Sequence, residues 1–163
     1  MRPNDDSVPR AEGPVGTPAE SDDRPSIATV IVGGTEETRL LLRGLVRLNH
    51  HRVLAETASA AQLPLGDPSD PPAVLILVGD GEGDDWPHEL ATARERMPSL
   101  HAILLVPERT PELIERARRM GVMAVLNRPF AIRDLVSAVE MVARGEEILD
   151  RVPGTRRTTA GQS

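Results

Sequence analysis

Five short apolar segments, separated by amphipathic ones, limit the folds that this chain can adopt. The segments are IATVIVGG, HRVLAETA, AVLILV, HAILLV and VMAVLN, and continuous apolar runs of this length are typical of strands buried on both faces. Strands that alternate with helices through short connections form one parallel sheet by right-handed crossovers. The sequence therefore predicts an α/β fold, a five-stranded parallel sheet with helices on both faces, whose ligands and chemistry lie at the carboxyl ends of the strands.

Four of the intervening segments have apolar residues at helical spacing and are predicted to be amphipathic helices. In TEETRLLLRGLVRLN, we expect Leu41, Leu45 and Leu48 to face the sheet. The inward stripes predicted for the other three helices are Trp86, Leu90, Ala93 and Met97; Leu113, Ile114, Ala117 and Met120; and Leu135, Ala138, Val139 and Val142. Between the second and third strands, Pro64 limits SAAQLPLGDPSDPP to one helical turn at most.

One domain, residues 26–150, accounts for all of these segments. Residues 1–25 carry six acidic side chains and five prolines with few large apolar residues, so we expect a disordered acidic tail. Residues 151–163 carry three Arg and no acidic residue, and we expect a flexible basic tail.

Composition excludes several classes of function. Residues 26–150 carry nineteen acidic side chains against thirteen Arg, whereas nucleic-acid binding requires a basic face. No apolar run is long enough to cross a membrane, and the N-terminus lacks the pattern of a signal peptide. We therefore expect a cytoplasmic protein whose folded domain binds neither nucleic acid nor membranes.

The segment MGVMAVLNRPFAIRDL, residues 120–135, resembles the end of a response-regulator receiver domain. The helix-stopping Gly121, the Pro129–Phe130 pair and the Arg-Asp-Leu step that opens the last helix match that family in register. The resemblance extends over residues 26–150 and implies the CheY-like, flavodoxin-like fold. The ending VARGEEILD is similar to the exit from NarL/FixJ-type receivers, and the thirteen residues after it are too short for their helix-turn-helix, so the resemblance implies a stand-alone receiver.

The resemblance also assigns positions to the phosphorylation chemistry. A receiver accepts a phosphoryl group from a histidine kinase on an Asp at the end of its third strand, beside a divalent metal held partly by an acidic pair after the first strand. The matching positions are Gly33 and Gly34 for the acidic pair, Val78 for the phospho-acceptor, Val106 for a Ser or Thr, Val125 for an aromatic residue, and Arg128 followed by Pro129 for the usual Lys-Pro. Only the cation is retained. The resemblance therefore implies an atypical, aspartate-less receiver, and we expect no resident metal and no cofactor.

Asp80 is the alternative phospho-acceptor. It lies two residues beyond the matching position, and Gly79 between them is poor strand material. Even a correctly placed Asp80 would lack the acidic pair that binds metal, on which phosphoryl transfer depends. The segment DGEGDD that begins at Asp80 also fits a solvated acidic loop, which could pair with Arg128, or a weak divalent-metal site.

We do not expect an enzyme, because no pair of nucleophile and base can be named. The four histidines, His50, His51, His88 and His101, lack ligand spacing and are expected at the solvated surface. The segment IVGGTEE lacks both the GxGxxG pattern and the Lys-Ser/Thr of a phosphate-binding loop.

A retained core with a dismantled pocket predicts a signalling module that binds another protein without phosphorylation. The alternatives are a phosphorylatable receiver that uses Asp80, and a flavodoxin-like domain that binds a small ligand or anion near Arg128. Receivers usually meet partners through their last two helices and fifth strand, and that face would also serve a homodimer. The residues predicted on it are Glu112, Glu115, Arg116, Arg119, Ile132, Arg133, Val136 and Glu140. The alternative for the helical charges is two i,i+4 pairs, Glu112 with Arg116 and Glu115 with Arg119.

Overall fold

A computed structural model describes residues 26–79 and 85–150 of the chain. The two predicted tails and Asp80 lie outside the described residues. Five strands were found: β1 (Ala28–Gly33), β2 (Arg52–Thr57), β3 (Ala73–Val78), β4 (Leu100–Val106) and β5 (Ala124–Asn127). They form one parallel sheet in the order β2-β1-β3-β4-β5. The predicted five-stranded parallel sheet is confirmed.

Helices cover both faces of this sheet, as predicted. They are α1 (Glu36–Leu48), α2 (Trp86–Arg96), α3 (Pro111–Arg119) and α4 (Ile132–Ala143). One core cluster joins the sheet to α1 and α4, and a second cluster joins its other face to α2 and α3. Between β2 and β3, a single 3₁₀ turn, Ala60–Gln62, replaces a helix, in agreement with the limit that Pro64 imposes.

The inward stripes predicted for α2, α3 and α4 are confirmed, because their central residues are fully buried. The stripe predicted for α1 is wrong. Leu42, Leu45 and Val46 face the sheet, whereas Leu41 and Leu48 are exposed. Two ion pairs accompany this orientation, since Arg39 and Arg43 both reach Glu56 on β2. The two arginines thus flank the buried side of the helix.

Residues 146–150, which we call the C-terminal strap, run back along β5 after α4. Ile148 and Leu149 are buried, and the amide of Ile148 donates to the carbonyl of Met123 at 2.8 Å. On the same side, Arg109 Nη2 donates to the carbonyl of Leu149 at 2.6 Å. The strap therefore covers part of the β5 edge and contributes apolar side chains to the core on both faces of the sheet.

Within the described residues, no helix combines the length and the apolar character that a membrane span needs.

Candidate functional site

The carboxyl rim of the sheet brings together the positions matched to the phosphorylation pocket. Gly33 lies beside Val78 in the β1–β3 register, and Val106 lies beside Asn127 in the β4–β5 register. The amide of Arg128 donates to the carbonyl of Val106 at 2.8 Å. The site is thus built by strand ends, which parallel pairing places at one edge of the sheet.

Gly33 and Gly34 leave no room for side chains at the end of β1. Their φ angles are 97° and 73°, in the left-handed region that favours glycine. A Cβ atom on Gly33 would lie 2.7 Å from the carbonyl oxygen of Val78, and one on Gly34 would lie 3.0 Å from Val78 Cγ1. Both glycine carbonyls accept hydrogen bonds from Arg39 Nη1, at 3.3 and 2.7 Å. A side chain at Gly33 would therefore require the backbone to shift, and one at Gly34 would require the side chain of Val78 to move slightly.

Val78 and Val106 fill the rim with apolar side chains. Each is buried, and they belong to the core clusters on opposite faces of the sheet. Neither side chain offers an oxygen to a metal or a hydroxyl to a phosphoryl group.

Arg128 is the cation retained at the rim. Its peptide bond to Pro129 is cis, and its Nη2 donates to the carbonyl of Gly79 at 2.7 Å. Its Nε is buried and has no hydrogen-bond partner among the described residues. The guanidinium therefore lies against the end of β3, directly before Asp80 in the sequence.

Receiver domains bind a divalent metal at this rim, and the described residues do not fit one. The two positions that would hold it are glycines, and the acceptor position is a valine. In the described part of the chain, no group of three His, Asp or Glu side chains could ligate a metal ion. A carboxylate pair at these two positions would therefore be opposed by sterics as well as being absent from the sequence.

The predicted partner residues on α3 are exposed, but they pair differently from the i,i+4 alternative. Glu115 pairs with Arg118 at 3.7 Å, three residues along the helix. The guanidinium of Arg116 lies 5.7 Å from the ring centroid of Trp86, on the side of α3 that faces α2. Glu112 and Arg119 are exposed.

The predicted partner residues on α4 divide between two environments. Ile132 and Arg133 are exposed, whereas Val136 and Glu140 are half-buried. The carboxylate of Glu140 lies 3.8 Å from His51 Nε2, so Glu140 also takes part in a contact inside the domain.

His51 was predicted at the solvated surface, and this prediction is wrong, because the residue is buried. Only 7% of its surface is exposed, and its Nδ1 accepts a hydrogen bond from the amide of Ile27 at 3.2 Å. It links the start of β1 to the region between α1 and α4.

Two arginines that the sequence analysis did not single out hold the strap to α3. Arg118 Nη2 donates to Asp150 at 2.7 Å, and Arg118 Nη1 lies 3.4 Å from Glu147. The hydrogen bond to Asp150 raises the pKa of Arg118. Burial lowers the pKa of Arg109, and Asp150 opposes this shift. No local pattern points to these residues, since their partners lie 29 to 40 positions away.

A small cavity lies beside the carboxyl end of β5. Its volume is about 150 Å³, and Arg109, Asn127, Phe130 and Asp134 are among the residues that line it. Arg109 closes one side, where its amide donates to Asn127 Oδ1 at 2.6 Å. Asp134 is therefore an α4 residue that borders this cavity.

Solved structures of similar shape include two pilus assembly proteins and a response regulator. A pilus assembly-related protein from Burkholderia pseudomallei K96243 matches with a TM-score of 0.59 and 20% identity over 76% of this chain and 94% of that one. The pilus assembly protein CpaE from Burkholderia thailandensis E264 matches with a TM-score of 0.58 and 22% identity over 72% and 98%. A response regulator from Thermotoga maritima matches with a TM-score of 0.56 and 14% identity over 74% and 99%.

This chain has the fold of a response-regulator receiver domain. The predicted CheY-like fold is thereby confirmed, and the RcsB response regulator of Salmonella typhimurium shares it with a TM-score of 0.60 and 17% identity, over 83% of this chain and 66% of that one. No model of a protein family matches the sequence, and no curated protein matches it. At these identities the likeness concerns the receiver fold and not a shared activity.

Proposed function

We propose that this chain is an atypical, cytoplasmic receiver that acts as a signalling module by binding another protein, without phosphorylation. The observation that carries the proposal is the closeness of Val78 to Gly33, where an added Cβ atom would lie 2.7 Å from the carbonyl oxygen of Val78. A valine at the acceptor position and a valine at the hydroxyl position remove the remaining groups that phosphorylation uses.

Charge is the main energetic obstacle to phosphorylation at this rim. Phosphoryl transfer requires a metal and cations to neutralise the charge that spreads over the transferred group. Among the positions matched to the phosphorylation pocket, Arg128 supplies the positive charge, and its Nη2 is engaged by the carbonyl of Gly79. Without an acidic pair, the described residues provide no ligand set for the metal, so the largest stabilising contribution is missing there.

Intact mass spectrometry of the full chain tests this proposal. After incubation with acetyl phosphate and Mg²⁺, the mass should stay unchanged, while a receiver that has the usual aspartate gains one phosphoryl group in the same buffer. A phosphoryl gain that disappears in Asp80→Asn would establish the phosphorylatable alternative and overturn the proposal.

The second candidate is an anion site at Arg128, and its buried Nε without a partner among the described residues favours it. Thermal unfolding with inorganic phosphate distinguishes this candidate. A melting temperature that rises with phosphate in the wild type, but not in Arg128→Ala, would support it. Equal behaviour of the two proteins would exclude it.

The exposed residues of the predicted partner face are the proposed contact with a protein partner. They are Glu112, Glu115, Arg116, Arg119, Ile132 and Arg133. Mixed charges around an exposed isoleucine suit a non-obligate interface. The neighbours with this fold are described as pilus assembly proteins in two cases and as response regulators in others, so the fold does not select the pathway.

A further inference from the structure

The outward side of α1 carries three exposed leucines. Leu40, Leu41 and Leu48 are 53%, 57% and 75% exposed, although the opposite side of the same helix already packs on the sheet. The other large apolar side chains exposed among the described residues are Leu54 on β2, Leu65 in the loop before β3 and Ile132 on α4. Only α1 thus concentrates exposed apolar surface in one place, which is typical of an interaction surface.

Gly44 lies between these leucines and forms a notch in the outward side. Glu37, Leu41, Gly44 and Leu48 follow one another at intervals of four, three and four residues, which places them on one stripe of the helix. A Cβ atom on Gly44 would meet nothing within 4 Å. No contact inside the domain therefore requires glycine there, and glycine is unfavourable inside a helix. A side chain of a second helix could approach the backbone closely at this position.

The charges at the two ends of α1 complement each other. Glu37 lies in the first turn and Arg47 in the last turn, and both are exposed on the outward side. If a second α1 packs antiparallel, Glu37 of each copy lies opposite Arg47 of the other. In the same register, Leu40 and Leu41 lie near Gly44 of the second copy. Leu40 and Leu41 are three and four residues from Glu37, and Gly44 is three residues from Arg47. A parallel arrangement would instead oppose like charges.

The α3–β5–α4 side is less suited to self-association than this surface. The strap covers part of β5, and Arg118 on α3 already pairs with Glu147 and Asp150 of the strap. Ile148 and Leu149 are buried, so Ile132 is the one large exposed apolar side chain that a second copy would meet there among the described residues.

We propose that the α1 face, defined by Leu40, Leu41, Gly44 and Leu48, is a homodimer interface between two antiparallel α1 helices. This goes beyond protein binding by the receiver fold, since the partner is a second copy of the chain and the alignment of the two α1 helices is specified. A helix of about 20 Å is short compared with a standard interface of roughly 800 Å² per partner. We expect a weak dimer, with a dissociation constant on the order of micromolar.

Sedimentation velocity of the full chain over a concentration series tests the proposal. The wild type should pass from monomer to dimer as the concentration rises through the micromolar range. Glu37→Arg and Arg47→Glu should each weaken the dimer about tenfold, because each substitution opposes like charges twice. An equimolar mixture of the two variants should recover the wild-type affinity, and so should the chain that carries both substitutions.

Two further variants separate dimerisation from folding. Gly44→Leu fills the notch and should abolish the dimer, while the helical circular dichroism is retained because the new side chain points into open space. Leu65→Glu changes an exposed leucine outside α1 and should leave the dimer intact. A chain that is monomeric at every concentration overturns the proposal and leaves the α1 face to a different protein. A dimer that ignores the α1 substitutions, or that mixing fails to restore, overturns it as well.

Discussion

Adding a methyl group at Gly33 measures how closely the rim of the sheet is packed. Gly33 has a φ angle of 97°, and its added Cβ would lie 2.7 Å from the carbonyl oxygen of Val78. The left-handed backbone costs a residue with a side chain about 1–2 kcal/mol. Overpacking against a central strand costs about 1–3 kcal/mol more, since a backbone oxygen cannot rotate away. Gly33→Ala should therefore lower the free energy of unfolding by about 2–5 kcal/mol.

Gly145 provides the matched control. It shares the left-handed backbone, with a φ angle of 86°, but its added Cβ would meet nothing within 4 Å. Gly145→Ala should therefore cost only the backbone contribution, about 1–2 kcal/mol. The difference between the two variants isolates the contact with Val78.

Urea unfolding followed by circular dichroism, with the fluorescence of Trp86 as a second probe, gives both free energies. Coincident transitions from the two probes would justify a two-state treatment. If Gly33→Ala costs no more than Gly145→Ala, the rim is loose enough to admit side chains. That result would refute a steric obstacle to a side chain at Gly33.

Three further predictions concern the strap and one loop. Leu149→Ala should destabilise the domain by about 2–5 kcal/mol in urea unfolding, since Leu149 is fully buried, whereas Leu65→Ala should change stability by less than about 0.5 kcal/mol; equal effects would show that the strap is not part of the core. Arg118→Ala should cost less than about 1 kcal/mol, and high salt should remove the difference, because its ion pairs are partly exposed; a loss that persists in high salt would contradict this. Hydrogen bonds from Ser69 lower the pKa of Asp67, so its contribution to stability is present above the ordinary carboxyl pKa and is lost as the pH falls through the lower folded value. Asp67→Asn should accordingly flatten the acid side of a stability–pH curve, and an unchanged curve would refute the assignment.

The strands and three of the four helical faces could be predicted because each has one apolar solution. AVLILV admits no register that leaves a polar face, and Leu135, Ala138, Val139 and Val142 define a single stripe. In α1, by contrast, leucines occupy positions 40, 41 and 42 in succession. Two neighbouring stripes therefore satisfy helical spacing, and the ion pairs of Arg39 and Arg43 with Glu56 accompany the one that faces the sheet.

The strap and the burial of His51 could not be predicted from local pattern. The carbonyl of Leu149 meets Arg109 across 40 positions of sequence, and the Nδ1 of His51 meets the amide of Ile27 across 24. Each contact joins two segments that the sheet order brings together, so neither segment carries the signal alone.

The positions at the rim could be predicted from the family resemblance. Their packing is known only from the structure. The sequence indicates that Gly33 and Gly34 lack carboxylates. It does not indicate that Val78 lies so close that no side chain could be restored at Gly33 without movement of the strands.

Amide NMR spectra of the full chain with Mg²⁺ and beryllofluoride, which mimics an acyl phosphate, address the rim most directly. We predict that the amide signals of Gly33, Gly34 and Val106 keep their positions when both reagents are added together. Saturable shifts of these three signals that require both reagents would mean that the rim still binds metal and phosphoryl group, and would contradict the account.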